Sequence, residues 1–312
     1  MQYLILSFEV IFPLFFMMTL GYIIKESKLV TENGFNMFSR VTFYIFIPAL
    51  LFVNIYKSDL TSSFNARLIA YAIITLFILC IILYFLIPRI IKDKWDQPVV
   101  MQGIYRGNFV IYGMYIVQTI YPNTDIGMVA VLSVFTVPLY SIITVLLFEM
   151  YSDKKNNKRD LFFNVIKSPM VFSAILAIFF LLTGLKIPKL LMDQLEGLSK
   201  LGTQMALLCL GGTFKFQSMQ QHKKPIMVTC IARLIIVPVV FISIAILMGI
   251  RGMELATIMV LNAAPVATSS FPMARELGGN GELAGEIVVI TSLLSIITMF
   301  CWVLVLTSSG LL

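Results

Sequence analysis

The sequence has few charged residues for its length. Asp, Glu, Lys and Arg make up 12% of its 312 residues, whereas hydrophobic residues make up 59%. A soluble domain has roughly 25% charged and 45–50% apolar residues, so this composition excludes a water-soluble globule and a disordered tail protein. The mean hydropathy is +0.93, which indicates that lipid surrounds most of the chain.

The residues that hold metals or carry out catalysis are also scarce. The four cysteines lie in separate apolar runs, which excludes a disulfide scaffold or a cysteine metal motif. His222 is the only histidine, and it lies in a Lys-rich loop, so we expect neither a His-based zinc site nor a buried histidine relay. No G-x-S-x-G, P-loop or H-E-x-x-H pattern occurs. We therefore expect no enzyme, no metal and no cofactor.

Ten apolar runs are long enough to cross a membrane, since about 30 Å of hydrocarbon requires about 20 helical residues. Gly, Asn, Arg or Pro interrupts the fourth and the ninth run. The sequence therefore predicts an all-α polytopic protein surrounded by lipid in the cell membrane (plasma or inner). The ten predicted spans are 7–24, 36–56, 67–91, 98–121, 126–150, 165–184, 200–216, 225–249, 252–276 and 283–308.

Lys and Arg are unevenly distributed between the two sets of loops. Because basic residues accumulate in cytoplasmic loops, the net charge of +7 indicates membrane topology rather than nucleic-acid binding. Both termini are then predicted to be extracellular. The richer face has Lys25, Lys28, Arg40, Arg89, Lys92, Lys94, Lys154, Lys155, Lys158, Arg159, Lys167, Lys215, Lys223, Lys224 and Arg275. The poorer face has Lys57, Arg67, Lys186, Lys189, Lys200 and Arg251.

The chain matches itself when it is shifted by 154 residues. The sequence Ser-Ile-Ile-Thr at 141–144 then falls on the same sequence at 295–298, and Asn108 falls on Asn262. A repeat of five helices crosses the membrane an odd number of times, so its second copy is inverted, as in many secondary transporters. We expect repeats at 1–150 and 165–312, joined by a cytoplasmic linker at 151–164.

The two interrupted spans fall at equivalent positions in this repeat. Asn108 and Asn262 each lie ten residues into their span, about 15 Å along a helix and half the hydrocarbon thickness. Pro265 lacks a backbone N–H and is suited to begin a second half-helix. Gly107 and Gly113 occupy the corresponding region of span four. Such breaks are tolerated where they line a cavity, and a half-helix N-terminus there favours an anion.

Arg106 lies about 12 Å deep by the same arithmetic, and a buried membrane Arg is by default functional. We expect it to face an anion. Arg233 is expected to extend to the cytoplasmic interface or to have a structural role, and Glu286, near a span end, to be interfacial. Packing between helices is the alternative role for such polar residues. The candidate substrate-binding residues are Asn108, Asn262, Arg106, Pro265, Gly107, Gly113, Tyr112 and Ser269.

With these residues the sequence resembles the auxin efflux carrier family, which includes plant auxin exporters and bacterial malate or malonate permease-like proteins. Span two contains the family's proline-aliphatic-phenylalanine segment at Pro48, and span eight contains its Arg-x4-Pro segment from Arg233 to Pro238. Ala264-Pro265 in span nine matches the family's crossover. The likeness covers essentially all ten spans.

The first crossover matches less completely. Gly107-Asn108 and Gly113 agree with the family pattern, whereas Tyr115 stands where the family usually has a proline. The geometry of the first crossover is therefore the part of the resemblance that the sequence leaves open.

The resemblance implies a carrier with a scaffold of spans 1, 2, 6 and 7, dimeric through that scaffold, and a transport domain of spans 3–5 and 8–10. We expect secondary transport of small carboxylates by alternating, elevator-like access. The coupling ion, proton or sodium, is not indicated. A carrier of indole-type aromatic weak acids is the alternative, favoured by Tyr105, Phe109, Tyr112 and Tyr115. An anion channel is the alternative from another class, and a membrane receptor is the third.

Overall fold

The computed structural model describes residues 2–58, 64–121, 127–152, 158–215 and 218–312. Within these residues the fold is helical, and its one β-type contact is an isolated bridge between Gly107 and Val266. The α-helices are α1 Gln2–Glu26, α2 Glu32–Val41, α3 Ile47–Tyr56, α4 Ala66–Ile90, α5 Gln97–Tyr105, α6 Phe109–Ile120, α7 Gly127–Tyr151, α8 Lys158–Lys167, α9 Pro169–Thr183, α10 Lys189–Thr213, α11 Lys223–Ile231, α12 Val237–Leu247, α13 Gly252–Ala263, α14 Ser270–Glu276 and α15 Gly281–Ser308.

Several of these helices are long and apolar enough to cross a membrane, which supports a polytopic membrane protein. In the described part of the chain there are five: Glu32–Tyr56, Ala66–Ile90, Gly127–Tyr151, Lys223–Leu247 and Gly281–Ser308. Three shorter apolar helices are Phe109–Ile120, Pro169–Thr183 and Gly252–Ala263. The count of ten spans stays a prediction.

Some boundaries differ from the predicted ones. The sixth predicted span is divided, since α8 ends before Ser168 and Pro169 begins α9. The seventh begins earlier, at Lys189, because its polar first turns continue the same helix as the apolar part. Residues 153–157 of the predicted linker lie outside the described residues, as do Lys154 and Lys155 of the predicted cytoplasmic loop.

Two of the long helices contain a π-helical turn directly before a proline-containing helix. The turns precede α3 and α12, and each of these helices has a proline at its second residue, Pro48 and Pro238. Pro238 has no N–H for the carbonyl of Leu234, which instead accepts the indole N–H of Trp302 at 3.2 Å. The carbonyl of Pro48 accepts the hydroxyl of Ser173 at 2.5 Å. Both prolines are therefore structural.

Polar side chains begin two of the long helices. The side-chain oxygens of Asn65 and Asn280 accept the backbone N–H groups of Leu68 and Leu283, each at 3.1 Å. Such an N-cap contributes about 1 kcal/mol to helix stability.

The helices pack in two groups. In the first group, α1 lies along α10, and α3 lies against both α9 and α10. In the second group, α4 packs on α5 and α7, α6 on α13, and α15 on α11 and α14. A continuous buried apolar cluster connects the second group to α1 and α10. The broken helix pairs α5–α6 and α13–α14 belong to the second group and position the candidate site.

Candidate functional site

Two helices end inside the bundle, at the two positions that the sequence marks as interrupted. Helix α5 ends at Tyr105 and α13 at Ala263. The next residues, Arg106 and Ala264, have ψ angles of 93° and 145° and leave the helical conformation. Both predicted interruptions are present, including the one that rests on glycine rather than proline.

The two interruptions contact each other in antiparallel fashion. The N–H of Asn108 donates to the carbonyl of Pro265 at 2.7 Å, and the N–H of Ala267 donates to the carbonyl of Arg106 at 3.1 Å. These bonds satisfy backbone groups that a helix break would leave free in a medium without water. The two interruptions therefore form an isolated antiparallel β-bridge between Gly107 and Val266, within the second helix group.

Arg233 holds the ends of both broken helices. Its guanidinium donates to the carbonyls of Ala264 at 2.7 Å, Leu261 at 2.9 Å and Ile104 at 3.1 Å. A helix leaves its last carbonyls without partners, and a cation is favoured at that negative end. The side chain is 1% exposed, so of its two expected roles Arg233 has the structural one and does not extend to the interface. The free carbonyls of two helices supply the polar surroundings that interfacial water would have supplied.

Gly107 is required by this guanidinium. A Cβ atom at Gly107 would lie 1.7 Å from Nη2 of Arg233. This distance is too short for two atoms that are not bonded, so any side chain at this position would displace the guanidinium. A Cβ at Gly113 would lie 2.8 Å from Cγ1 of Val129, so that glycine permits close packing of α6 on α7. The structure thus gives both candidate glycines a packing role beside the site.

Arg106 is buried and has only uncharged side-chain partners. Its guanidinium donates to the hydroxyl of Ser269 at 3.1 Å and to that of Thr144 at 3.4 Å, and the residue is 3% exposed. No carboxylate of the described residues forms an ion pair with it. Burying a cation without a counter-charge is costly, so the arrangement favours a bound anion.

The two candidate asparagines differ in their surroundings. The side-chain Nδ2 of Asn108 is buried and has no hydrogen-bond partner among the described residues. Nδ2 of Asn262 donates to the carbonyl of Ile258 at 2.9 Å, which uses one of its two hydrogens. Asn262 lines a cavity of about 10 Å³ together with Arg233, whereas Asn108 does not. That volume holds about one water molecule, so this cavity beside Asn262 is too small for a carboxylate.

Two hydroxyl residues at the site were missed by the sequence reasoning. Thr144 lies 2.7 Å from the hydroxyl of Tyr105, in addition to its contact with Arg106. Ser295 lies 3.4 Å from the hydroxyl of the candidate Tyr112. Both belong to the repeated Ser-Ile-Ile-Thr segments, so the repeat itself carried a signal for the site.

Glu286 and His222 form a contact that the sequence reasoning did not predict. Glu286 is 1% exposed, and Nδ1 of His222 lies 2.6 Å from its Oε2. Glu286 lies in the second turn of α15, and His222 directly precedes α11. The predicted position of Glu286 near a span end stays a prediction.

Comparison with known proteins agrees with a transporter. Residues 6–303 match the family model described as membrane transport protein. An uncharacterized transporter of Methanothermobacter thermautotrophicus (strain Delta H) is 23% identical over 314 residues. That alignment covers 96% of this chain and 98% of the relative.

Proposed function

Because the chain belongs to the membrane transport protein family, we propose that it is a secondary transporter of small organic anions, carboxylates such as malate or malonate. The observation that carries the proposal is Arg106, a buried cation with hydroxyl partners beside two crossing broken helices. A carboxylate bound there supplies the counter-charge that the described residues do not.

Asn108 is the proposed second ligand of the anion. Its Nδ2 is buried and unpartnered among the described residues, so both hydrogens are available. An amide donates to a carboxylate without the desolvation cost of another buried charge. Helix α6 begins at Phe109, so its positive N-terminal end lies beside the same residue. Asn262, in the last turn of α13, contributes its remaining hydrogen.

We propose alternating access by an elevator-like movement of the helices that bear the crossover. Two backbone hydrogen bonds join the interruptions directly, and the proposed ligands Arg106 and Asn108 beside them are 3% and 9% exposed. A channel requires a continuous aqueous path instead. The burial of the two proposed ligands supports a carrier.

The proposed architecture has ten spans in two inverted repeats. Equivalent elements have similar lengths: α4 and Lys223–Leu247 have 25 residues each, and α7 and α15 have 25 and 28. The first packing group, α1–α3 with α8–α10, is the proposed scaffold and homodimer surface, and the second is the proposed transport domain. The packing of the broken pairs within the second group supports this division.

The proposed orientation has both termini outside. Members of the richer basic face meet at one end of the bundle, where Arg40 pairs with Glu276 at 3.8 Å. At the poorer face Lys57 pairs with Glu196 at 2.6 Å. In a Cys301→Ser background, Leu29→Cys should resist an impermeant maleimide in intact cells, whereas Leu185→Cys should react. Reversed labelling would overturn the orientation.

Aromatic weak acids are the second candidate substrates. A largely apolar cavity of about 390 Å³ lies between α1, α6 and α10, and Tyr115, Phe16 and Leu207 line it. Its volume is in the range of small-molecule sites. This cavity is the observation that favours an indole-type acid over a small dicarboxylate.

The test is a melting-temperature screen of the purified protein against mono- and dicarboxylates and indole acetate, with and without sodium. Counterflow into proteoliposomes follows for each stabilising compound. Arg106→Gln should abolish stabilisation by anions. Arg67→Gln, which removes an exposed Arg bonded to the carbonyl of Met248, should retain it. Saturable counterflow supports the carrier, and large currents without counterflow would replace it with a channel.

A further inference from the structure

A buried carboxylate outside the crossover lies in a hydrogen-bonded network. Glu286 is on α15, and the hydroxyl of Ser218 contacts its Oε1 while Nδ1 of His222 lies 2.6 Å from its Oε2. Ser218 and His222 belong to the segment that joins α10 to α11. The carboxylate is therefore in contact with the connection between the two packing groups, and the proposed anion site does not use it.

The proton on His222 is assigned by its other neighbour. Oδ1 of Asn280 accepts the N–H of Leu283, so the amide orientation is settled, and Nδ2 faces the network. Nδ2 lies 2.8 Å from Oδ1 of Asp96 and 3.2 Å from Nε2 of His222. An amide nitrogen only donates, so Nε2 accepts and carries no hydrogen. His222 is then neutral and donates its Nδ1 hydrogen to Glu286.

The remaining contacts require one more hydrogen than an ionised Glu286 supplies. The hydroxyl of Ser218 lies 2.7 Å from the carbonyl of Lys215 and also contacts Oε1 of Glu286. A hydroxyl has a single hydrogen, so Ser218 cannot give each of the two oxygens a full hydrogen bond of its own. If Glu286 carries a proton on Oε1, it donates to Ser218, and Ser218 donates to Lys215. Every contact in the network is then a hydrogen bond.

The network is enclosed by protein. Glu286 is 1% exposed, so its carboxyl oxygens have protein groups rather than bulk water as partners. A cavity of about 270 Å³ is lined by Ser218 and Glu286, so a proton has a path to the site. The other charged groups at this cavity or network are Asp96, Lys215, Glu282, Glu32 and Arg275, with Lys25 on the carbonyl of Phe214 and the exposed Lys223 and Lys224 at the start of α11.

Three of these cations, Lys25, Lys215 and Arg275, have other partners. Hydrogen bonds to Glu282 and Glu32, at 2.9 and 3.2 Å, raise the pKa of Lys215, which keeps it charged and paired. Arg275 donates to Oδ1 of Asn36 on α2. Burial raises the pKa of Asp96, against the lowering effect of its bond from Asn280. Among the described residues, the hydrogen bonds and ion pairs of Lys25, Lys215 and Arg275 are with groups other than Glu286.

We propose that Glu286 is a proton-binding site and that its bound proton fastens the connection between α10 and α11 to α15. Loss of the proton leaves Ser218 with two acceptors and one hydrogen, so either the link to α15 or the link to Lys215 opens. Proton binding at Glu286 needs no organic substrate, so it can be tested without the proposed anion transport.

Infrared spectroscopy of the detergent-purified protein tests the proton itself. A protonated carboxyl has a C=O stretching band above the amide I band. If Glu286 binds a proton, wild type should lose such a band reversibly as the pH rises. Glu286→Gln should lack the band at every pH, and Glu282→Gln, which changes the exposed carboxylate one turn away, should keep it. A band that is absent from wild type, or unchanged by Glu286→Gln, overturns the proposal.

Hydrogen–deuterium exchange tests the fastening. After correction for intrinsic rates, residues 218–226 of wild type should exchange about tenfold faster once the band is lost, as expected for one broken hydrogen bond. Glu286→Gln reproduces the protonated contacts, because its amide donates to Ser218 and accepts from His222, so its exchange should stay slow at every pH. Ser218→Ala keeps the carboxyl and should exchange quickly even when the band is present. If the corrected exchange rate of residues 218–226 in wild type does not change with pH, or is equal in all three proteins, the proton on Glu286 does not hold this connection to α15.

Discussion

The first interruption, residues 106–108, and the second, residues 264–267, achieve the same backbone crossing with different chemistry. The second contains Pro265, which cannot donate a hydrogen bond and disfavours a helical conformation at the residue before it. The first contains no proline, and its break depends on Gly107, which leaves room for the guanidinium of Arg233. It also bears the buried cation Arg106 and the unpartnered amide of Asn108. The second contributes mainly backbone carbonyls.

The two buried arginines at the crossing differ in their partners. Arg233 caps the ends of α5 and α13, and its charge is compensated by backbone dipoles. Arg106 has two hydroxyl partners and no described counter-charge. Arg233 is therefore saturated by backbone carbonyls, whereas Arg106 is the residue that we propose as the anion ligand.

The largest expected effect comes from removing the guanidinium that serves both interruptions. Arg233→Gln leaves several buried carbonyls without donors, and each unsatisfied group costs about 1–3 kcal/mol. We expect poor expression and a melting temperature far below that of wild type. Arg251→Gln, which removes an exposed Arg bonded to the carbonyls of Ile246 and Ile250, is the control and should melt like wild type. Equal melting temperatures of the two variants would show that Arg233 does not stabilise the ends of α5 and α13.

Gly107→Ala should break the first interruption alone. The added methyl group clashes with a guanidinium that three carbonyls hold in place, and overpacking of a buried site typically costs about 1–3 kcal/mol. The melting temperature should fall clearly. Gly197→Ala is the matched control, because no atom lies within 4 Å of its added Cβ, and an Ala in α10 should be neutral or slightly stabilising. A Gly107→Ala protein that is as stable as the Gly197→Ala protein contradicts the close approach of Gly107 to the guanidinium of Arg233.

The asparagines should distinguish affinity from stability. Asn108→Ala removes an amide without a described partner, so stability should hardly change while anion affinity falls about ten- to a hundredfold. Asn262→Ala also loses its bond to Ile258 and should lower both affinity and melting temperature. Both quantities are measured on the same preparations. Unchanged affinity in a folded Asn108→Ala protein removes that residue from the site.

Pro265→Ala should have the smallest effect. The carbonyl that accepts the N–H of Asn108 remains, and the gain in backbone freedom of the unfolded chain costs about 0.4–1 kcal/mol. We expect a slightly lower melting temperature and nearly normal anion affinity. A loss as large as that of Gly107→Ala would show that the proline, rather than the glycine and Arg233, maintains the crossing.

Much of the architecture could be predicted because lipid imposes strong rules on sequence. Apolar length indicated the helices, the motifs at Pro48, Arg233 and Pro265 predicted the family, and the family match confirms it. The shift that aligns Asn108 with Asn262 located both interruptions, since breaks in lipid require special residues. Of the predicted site residues, the structure brings Arg106 to Ser269 and Asn108 to Pro265. Substrate binding by any of them stays a prediction.

Only the tertiary structure decided what each buried polar group contacts. The sequence placed Arg233 and Glu286 near span ends, but it could not show that one reaches the carbonyls of two other helices and the other a loop histidine. Such partners lie 31 and 64 residues away along the chain, and no periodicity encodes them. Burial and helix position are local properties of a sequence in lipid, whereas the compensation of a buried charge depends on which distant groups the packing brings within hydrogen-bond distance.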